Sequence, residues 1–466
     1  MAIRILVQCI VIITIFAGAT TAQPLTEAER SAIDSGVKAA LEATGSPGAS
    51  IAIVRGGQIV YENAYGIGRI EPQRPARSDM RYAIGSVSKQ FTAAAILLLQ
   101  EDGKLSLDDH VSKWFPQLTR AGDISIRRLL SMTSGYQDYW PQDYVFMDMQ
   151  RPTPASEIMQ RWAAKPLDFD PGTKWQYSNT NYVIAAAIVE RVAGMPFMRF
   201  LQHRIFTPLK MTSVVDFDAG PLGPGDAQPL LRHALGPFRE APKEAKGWLF
   251  GAGQLAMTAH DLSLWNISMM NQSLLKPASY KVLQTEMLLE SGNTTGYGLG
   301  VQLRMTGERR RIVHGGAVSG YTTTSQIFPD DKAAIVAYTN IYPGAANAPG
   351  MIADRITRVI FAEPPANADA LAQAQRIYAA LMKGAIDRSL FTPSANAFFT
   401  AEVLADYATT LGPLGAPTEF TAAGEGLRGG MVLRGYRVRA GGVLLSISMM
   451  SLPDGKIDQF IVSRAG

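Results

Sequence analysis

Ser86 and Lys89 stand three residues apart in the stretch Arg81-Tyr82-Ala83-Ile84-Gly85-Ser86-Val87-Ser88-Lys89. On a helix that spacing puts both side chains on one face and within reach of each other. A serine hydroxyl is a poor nucleophile until a base takes its proton, and a lysine with a desolvated ammonium can be that base. The backbone N–H groups of a first helical turn lack partners within the helix and favour developing negative charge. A nucleophile, a candidate base and part of an anion site thus fall within four residues. A helix-capping serine beside a solvated lysine would have the same spacing. The surrounding elements have to decide between the two.

The run from Phe91 to Leu99 has scarcely a polar side chain. A helix apolar on all sides belongs in the interior of a large protein, and Gly103 supplies its stop. The pair therefore sits at the mouth of a buried helix. Upstream, Leu25 to Ala43 has helical spacing, and Gly48–Val54 and Gln58–Tyr65 read as strands joined at Gly56-Gly57. Ser125–Met132 and Pro154–Ala164 are short helices. Asn179 or Thr180 caps an apolar helix that runs through Val192 and closes at Gly194. Asp216 to Glu244 is rich in proline and glycine and reads as a surface or lid loop. A helix over Met257–Met270 precedes strand-like runs at Gly298–Leu303, Arg311–His314, Tyr321–Phe328 and Ala333–Asn340. A helix at Met351–Phe361 ends the region. Strands at both ends with helices between predict an α+β unit whose late strands join the early hairpin.

Beyond this unit, residues 362–368 read as a linker and 369–466 as a small α+β accessory domain. Its predicted helices are Asp369–Met382 and Ala401–Leu411. Its predicted strands are Glu419–Ala423, Met431–Ala440, Val443–Met450 and Ile457–Ser463. Val443, Leu445, Ile447 and Met449 alternate as in a half-buried sheet. The element order weakly resembles the ketosteroid-isomerase-like cone. No acid–base pair stands out in it, so a packing or dimerising role is expected.

The chain has 466 residues, enough for two or three domains, and 47% of them are hydrophobic, as in ordinary globular proteins. With 44 basic against 40 acidic residues and no long basic run, nothing points to nucleic acid. Met1–Arg4 is a basic start, Ile5–Ala17 is apolar, and Thr20-Thr21-Ala22 offers small residues before Gln23. Residues 1–22 are expected to be a signal peptide, giving an exported, periplasmic or secreted protein with no stable membrane span once they are removed. The single cysteine, Cys9, lies inside that segment, so a mature chain would have neither disulfides nor thiol chemistry. His110, His203, His233 and His260 show no metal-ligand spacing. No metal or other cofactor is expected.

Two further motifs join the first. Tyr177-Ser178-Asn179 lies on a loop, and His314-Gly315-Gly316 is read at a strand end. The order Ser-x-x-Lys, Tyr-x-Asn, His-x-Gly resembles the serine β-lactamase and penicillin-binding protein superfamily, in its class C-like branch. That branch includes class C β-lactamases, D,D-carboxypeptidases, D-aminopeptidases and related esterases. The resemblance covers about Leu25 to Phe361 and includes Leu129-Leu130-Ser131-Met132-Thr133-Ser134-Gly135. It implies a β-lactamase/transpeptidase-like fold, an antiparallel sheet flanked by helices with an all-helical subdomain. It also implies roles. Ser86 would form an acyl-enzyme, with Lys89 and Tyr177 as a relay in which either could be the base. Asn179 would orient Lys89 and bind the substrate amide. The N–H groups of Ser86 and Ala317 would form the oxyanion hole, and Gly315 and Gly316 would let the strand approach the substrate.

The third motif departs from the family's usual Lys-Thr-Gly or Lys-Ser-Gly, in which lysine and hydroxyl hold a substrate carboxylate. His314 is expected to be charged only in part near neutral pH, and Gly315 has no hydroxyl. A charge-assisted contact is worth about 1.5–3 kcal/mol, so carboxylate substrates lose tenfold or more. The sequence therefore predicts a serine hydrolase of small esters or D-aminoacyl amides, with peptidoglycan-type substrates within the class. β-Lactamase or D,D-carboxypeptidase activity is the alternative, as is a non-catalytic receptor, although a pure binder has no need of Ser86, Lys89 and Tyr177 together. If His314 anchors a carboxylate, anion binding should weaken as pH rises through its titration.

Overall fold

The computed structural model describes residues 23–345, 347–361, 368–428 and 431–465. The expected signal segment and nearly all of the expected linker, residues 1–22 and 362–367, lie outside them. Two compact units form, one ending at Ile360 and the other beginning at Phe361.

In the first unit, helix α1 (Glu27–Thr44) starts in a capping box, Thr26 with Glu29, and stops at Gly45. Strands β1 (Gly48–Arg55), β2 (Gln58–Ile70) and β3 (Gln73–Pro75) follow it. The chain returns to the same sheet only with β4 (Gln302–Thr306), β5 (Arg309–Val318), β6 (Tyr321–Phe328) and β7 (Ala333–Thr339). The seven strands are ordered β3-β2-β1-β7-β6-β5-β4. β1 meets β7 antiparallel from Ala49 opposite Thr339 to Val54 opposite Ala334, which joins the early hairpin to the late strands. Every residue of β6 and β7 is buried, so both faces of the sheet centre are covered.

Between the two sets of strands lies the helical part, built around α2 (Lys89–Glu101) and α3 (Asn179–Ala193), which pack together. From Lys89 to Leu99 every residue of α2 is buried. Phe91 packs its ring 4.7 Å from Trp265 of α4 (Ala259–Asn271) and 5.6 Å from Phe206. Burial of each large apolar side chain here contributes about 1.5–3 kcal/mol, which fixes the helix and whatever stands at its mouth. A last helix, α5 (Ala348–Ile360), packs against α1 and lies on β6 and β7.

Three local readings are corrected. β4 begins at Gln302 rather than Gly298, because Gly298 donates to Val301 O in a turn (2.8 Å). The strand expected to end at His314 runs on to Val318. For 216–244 only the lid reading gives way, the surface-loop reading standing, because none of its residues is among the described residues lining the main cavity. The loop folds onto the protein instead, with Asp226 in a bidentate pair with Arg81 (2.9 and 2.7 Å).

The second unit contains α6 (Ala368–Leu381), α7 (Pro393–Phe398) and α8 (Ala401–Leu411). Its sheet is a meander of β8 (Glu419–Arg428), β9 (Met431–Ala440), β10 (Val443–Ser451) and β11 (Ile457–Arg464), in that order. α7 was not foreseen, being too short to show periodicity; Thr392 caps it and Pro393 opens it. Ile377, Tyr378 and Leu381 of α6 share a core with Tyr436, Ile447 and Phe460 of the sheet.

Candidate active site

The chain enters α2 through a 3₁₀ turn, Gly85–Ser88, so Ser86 precedes the helix and Lys89 is its first residue. Gly85 has φ +50°, and a Cβ there would lie 2.7 Å from Ala317 N. A Cβ on Gly316 would lie 1.9 Å from Ile84 O and 3.1 Å from Ser86 N. Only glycines at both positions let β5 and the serine turn come together this closely. β4 pairs with β5 only as far as Gln302 opposite Val313. From His314 onward the β4-facing edge of β5 is released from the ladder, and this part of the strand packs against the serine turn. The N–H groups of Ser86 and Ala317 are thereby brought next to each other.

Lys89 is completely buried, and its Nζ lies 3.0 Å from Ser86 Oγ, 2.7 Å from Asn179 Oδ1 and 2.8 Å from Ala252 O. Two of these partners only accept. A neutral amine can donate its two hydrogens to them and keep its lone pair for the Ser86 hydroxyl. Burial disfavours the ammonium and brings its pKa down from the usual lysine range to about 7, against the opposing pull of Asp138. The rings of Tyr177 and Tyr182 lie 5.0 and 5.5 Å from Nζ.

Tyr177 lines the pocket with Ser86, and the two hydroxyls interact. Desolvation pushes its phenol pKa up, only partly offset by the Ser86 hydroxyl, so its own hydroxyl stays protonated at neutral pH. This favours Lys89 over Tyr177 as the group able to accept a proton.

His314 corrects the expectation of a partly charged anchor. Its side chain is buried, with Nδ1 2.6 Å from Gly315 O and Nε2 2.9 Å from Tyr297 Oη. Gly315 O only accepts, so Nδ1 carries the hydrogen and Nε2 accepts from Tyr297. Burial, reinforced by the Lys89 charge, lowers the imidazole pKa to about 4. The ring is neutral across the physiological range and offers no cation to a carboxylate.

These residues line one cavity of about 730 Å³, which holds Ser86, Tyr177, Asn179, His314, Gly315, Gly316 and Ala317. Lys89 lies beneath it. Sequence reasoning missed part of its wall: the loop Tyr139-Trp140-Pro141-Gln142-Asp143, with Asp143 2.9 Å from Tyr342 Oη, and Gln302 of β4. It also missed Asp138, whose Oδ1 accepts from the backbone N (2.9 Å) and Nδ2 (3.1 Å) of Asn179. An acid beside Tyr136, Tyr139 and Trp140 was the available signal. Neither Lys nor Arg occurs among the described residues lining the cavity. Among these residues there is also no cluster of His, Cys, Asp or Glu that could hold a metal ion.

A serine on a tight turn over a buried lysine, at the edge of an antiparallel sheet, defines the β-lactamase and penicillin-binding class of serine hydrolase. Comparison with known proteins agrees. The Beta-lactamase family profile matches residues 33–356. The chain belongs to that family. It is 27% identical over 309 residues to a penicillin-binding protein of Bacillus subtilis, covering 62% of this chain and 67% of that protein. It is also 27% identical over 314 residues to a D-aminopeptidase of Brucella anthropi, covering 64% of this chain and 57% of the relative. The chain thus spans less than two thirds of that D-aminopeptidase's length. Among solved structures, an octameric penicillin-binding protein homologue from Pyrococcus abyssi shares the fold, with a TM-score of 0.64 and 18% identity. That match covers 94% of this chain and 100% of the homologue. No helix among the described residues is long and apolar enough to cross a membrane.

Proposed function

We propose that this chain is an exported serine hydrolase that acts through an acyl-enzyme on small esters and D-aminoacyl amides whose non-reacting end is neutral or cationic. The observation that carries this reading is the Ser86–Lys89 contact at the floor of a cavity whose described lining contains carboxylates and no cation. Neutral Lys89 takes the Ser86 proton as Oγ bonds to the substrate carbonyl carbon. The carbonyl oxygen becomes an oxyanion facing the N–H groups of Ser86 and Ala317. Collapse breaks the bond to the amine or alcohol, which leaves with the proton from Lys89 passed through the Tyr177 hydroxyl. Water then attacks the ester on Ser86 with Lys89 again as base, which frees the acid and restores the hydroxyl.

The D-aminopeptidase relative supports the amide part of the proposal, and the neutral His314 supports the preference against carboxylates. Export would follow from residues 1–22, and N-terminal sequencing of protein recovered from the periplasm or medium checks it. The C-terminal unit is proposed as an accessory module for self-association, which light scattering of the full chain against one truncated after Phe361 would test. The substrate test compares kcat/KM for p-nitrophenyl butyrate, D-alanine p-nitroanilide and nitrocefin. The first two should exceed the third by tenfold or more, the cost of one missing charge-assisted contact. Nitrocefin as the preferred substrate would overturn the assignment.

A further inference from the structure

One charged group beside the catalytic pair has no part in the mechanism above. Asp138 is half-buried on the pocket wall. Its Oδ1 takes the Asn179 N–H (2.9 Å), the Asn179 Nδ2 (3.1 Å) and the Trp140 N–H (3.3 Å), and Oδ2 lies 3.3 Å from the same Nδ2. Burial raises the Asp138 pKa above the usual carboxylate value, while the N–H donors of Asn179 and Trp140 and the charge of Lys89 pull the other way and favour its ionised form.

Those bonds settle which way the Asn179 amide faces. With Nδ2 on the carboxylate, Oδ1 must face Lys89, and it does so at 2.7 Å. Rotated by half a turn, the amide would set oxygen against carboxylate and nitrogen against amine. Asn179 Oδ1 and Ala252 O then take both hydrogens of the neutral amine, and its lone pair is left to Ser86. We propose that Asp138 is a positioning residue: through Asn179 it orients Lys89 toward Ser86, and its negative charge favours the ammonium form of that lysine. This rests on the reading of Ser86 as nucleophile and Lys89 as base. The other ionisable groups facing Lys89 are Tyr177 and Tyr182, both neutral phenols, and His314, neutral beneath Tyr297. Asp138 is therefore the anion whose removal changes the field at the amine.

The test is the second-order rate of Ser86 labelling by a fluorophosphonate from pH 5 to 9, in wild type, Asp138→Asn and Asp138→Glu, with thermal melts for each. In Asp138→Asn the acid limb should move to lower pH by about one unit, the effect of losing a nearby opposite charge. Its plateau should fall by about tenfold, as a bond to a charged group is lost. Asp138→Glu keeps the charge and displaces the clamp, so its plateau falls while its limb stays in place. It carries the test by itself should the asparagine variant fail to fold. A limb that stays put in Asp138→Asn, or moves equally in both variants, would overturn the proposal. So would an effect confined to KM for substrates, which would make Asp138 a binding group. Wild type that takes no label would instead remove the reading of Ser86 on which the proposal stands.

Discussion

The pH dependence of acylation follows directly from the burial of Lys89. An exposed lysine is neutral to only about 0.03% at pH 7 and makes a negligible base. At position 89 the side chain has no exposed surface, and desolvation, less the opposing pull of Asp138, disfavours the ammonium by about 5 kcal/mol net, bringing the pKa to about 7. Half of the molecules then hold a neutral amine at that pH, about a thousandfold enrichment over an exposed lysine. The neutral form is lost as pH falls through this value, so kcat/KM should decline on the acid side. Between pH 7 and pH 5 the drop should be about fiftyfold, with a single ionisation near 7. Stopped-flow hydrolysis of p-nitrophenyl butyrate below saturation measures it, with the free enzyme's melting temperature followed in parallel to separate titration from unfolding. A rate that is level from pH 5 to 7 would refute the assignment of Lys89. A limb near pH 9 or above would transfer the role to the phenol of Tyr177.

Three other expectations follow from the same geometry. Lys89→Ala should reduce acylation by at least a thousandfold while leaving a folded protein, because Ser86 and Lys89 act as a unit; near-native turnover in that variant would leave Tyr177 alone as the base. Gly316→Ala should lower kcat/KM by a hundredfold or more, since its Cβ would meet Ile84 O at 1.9 Å and force β5 away from the serine turn; retention of activity with unchanged melting would mean that the approach of Ala317 N is not needed. His314→Gln keeps an acceptor for Tyr297 and should leave the nitrocefin to p-nitrophenyl butyrate ratio of kcat/KM unchanged between pH 5.5 and 7.5. A ratio that falls with rising pH in wild type but not in the variant would restore His314 as a charged anchor.

What the sequence made legible was local or periodic. Ser86 and Lys89 are three apart, so their contact is a property of one turn, and the apolar run after them marks a buried helix without any knowledge of its neighbours. The strands show themselves through continuous apolar stretches, and the order of three motifs pointed to the fold. What it concealed depends on residues distant in the chain. His314 is an ordinary histidine on paper; its burial and the charge of Lys89 nearby take away its own. Two glycines after His314 look like the end of a strand, yet β5 continues in register with β6 to Val318 opposite Tyr321, and Gly316 is there because Ile84 O occupies the space a side chain would need. Asp138 meets Asn179 across 41 residues of sequence, a pairing with no periodic signature. The loop 140–143 has no regular structure at all, so nothing in its sequence announced that it lines the pocket.

Covalent labelling reads out the proposed role of Ser86 as nucleophile. Full-length protein is treated with a fluorophosphonate, digested and read by mass spectrometry, beside Ser86→Ala and with melts on both. One adduct is expected on Ser86 in wild type, stoichiometric at neutral pH and absent from the folded alanine variant. Wild type that remains unlabelled, or an adduct that persists in Ser86→Ala, would contradict that role.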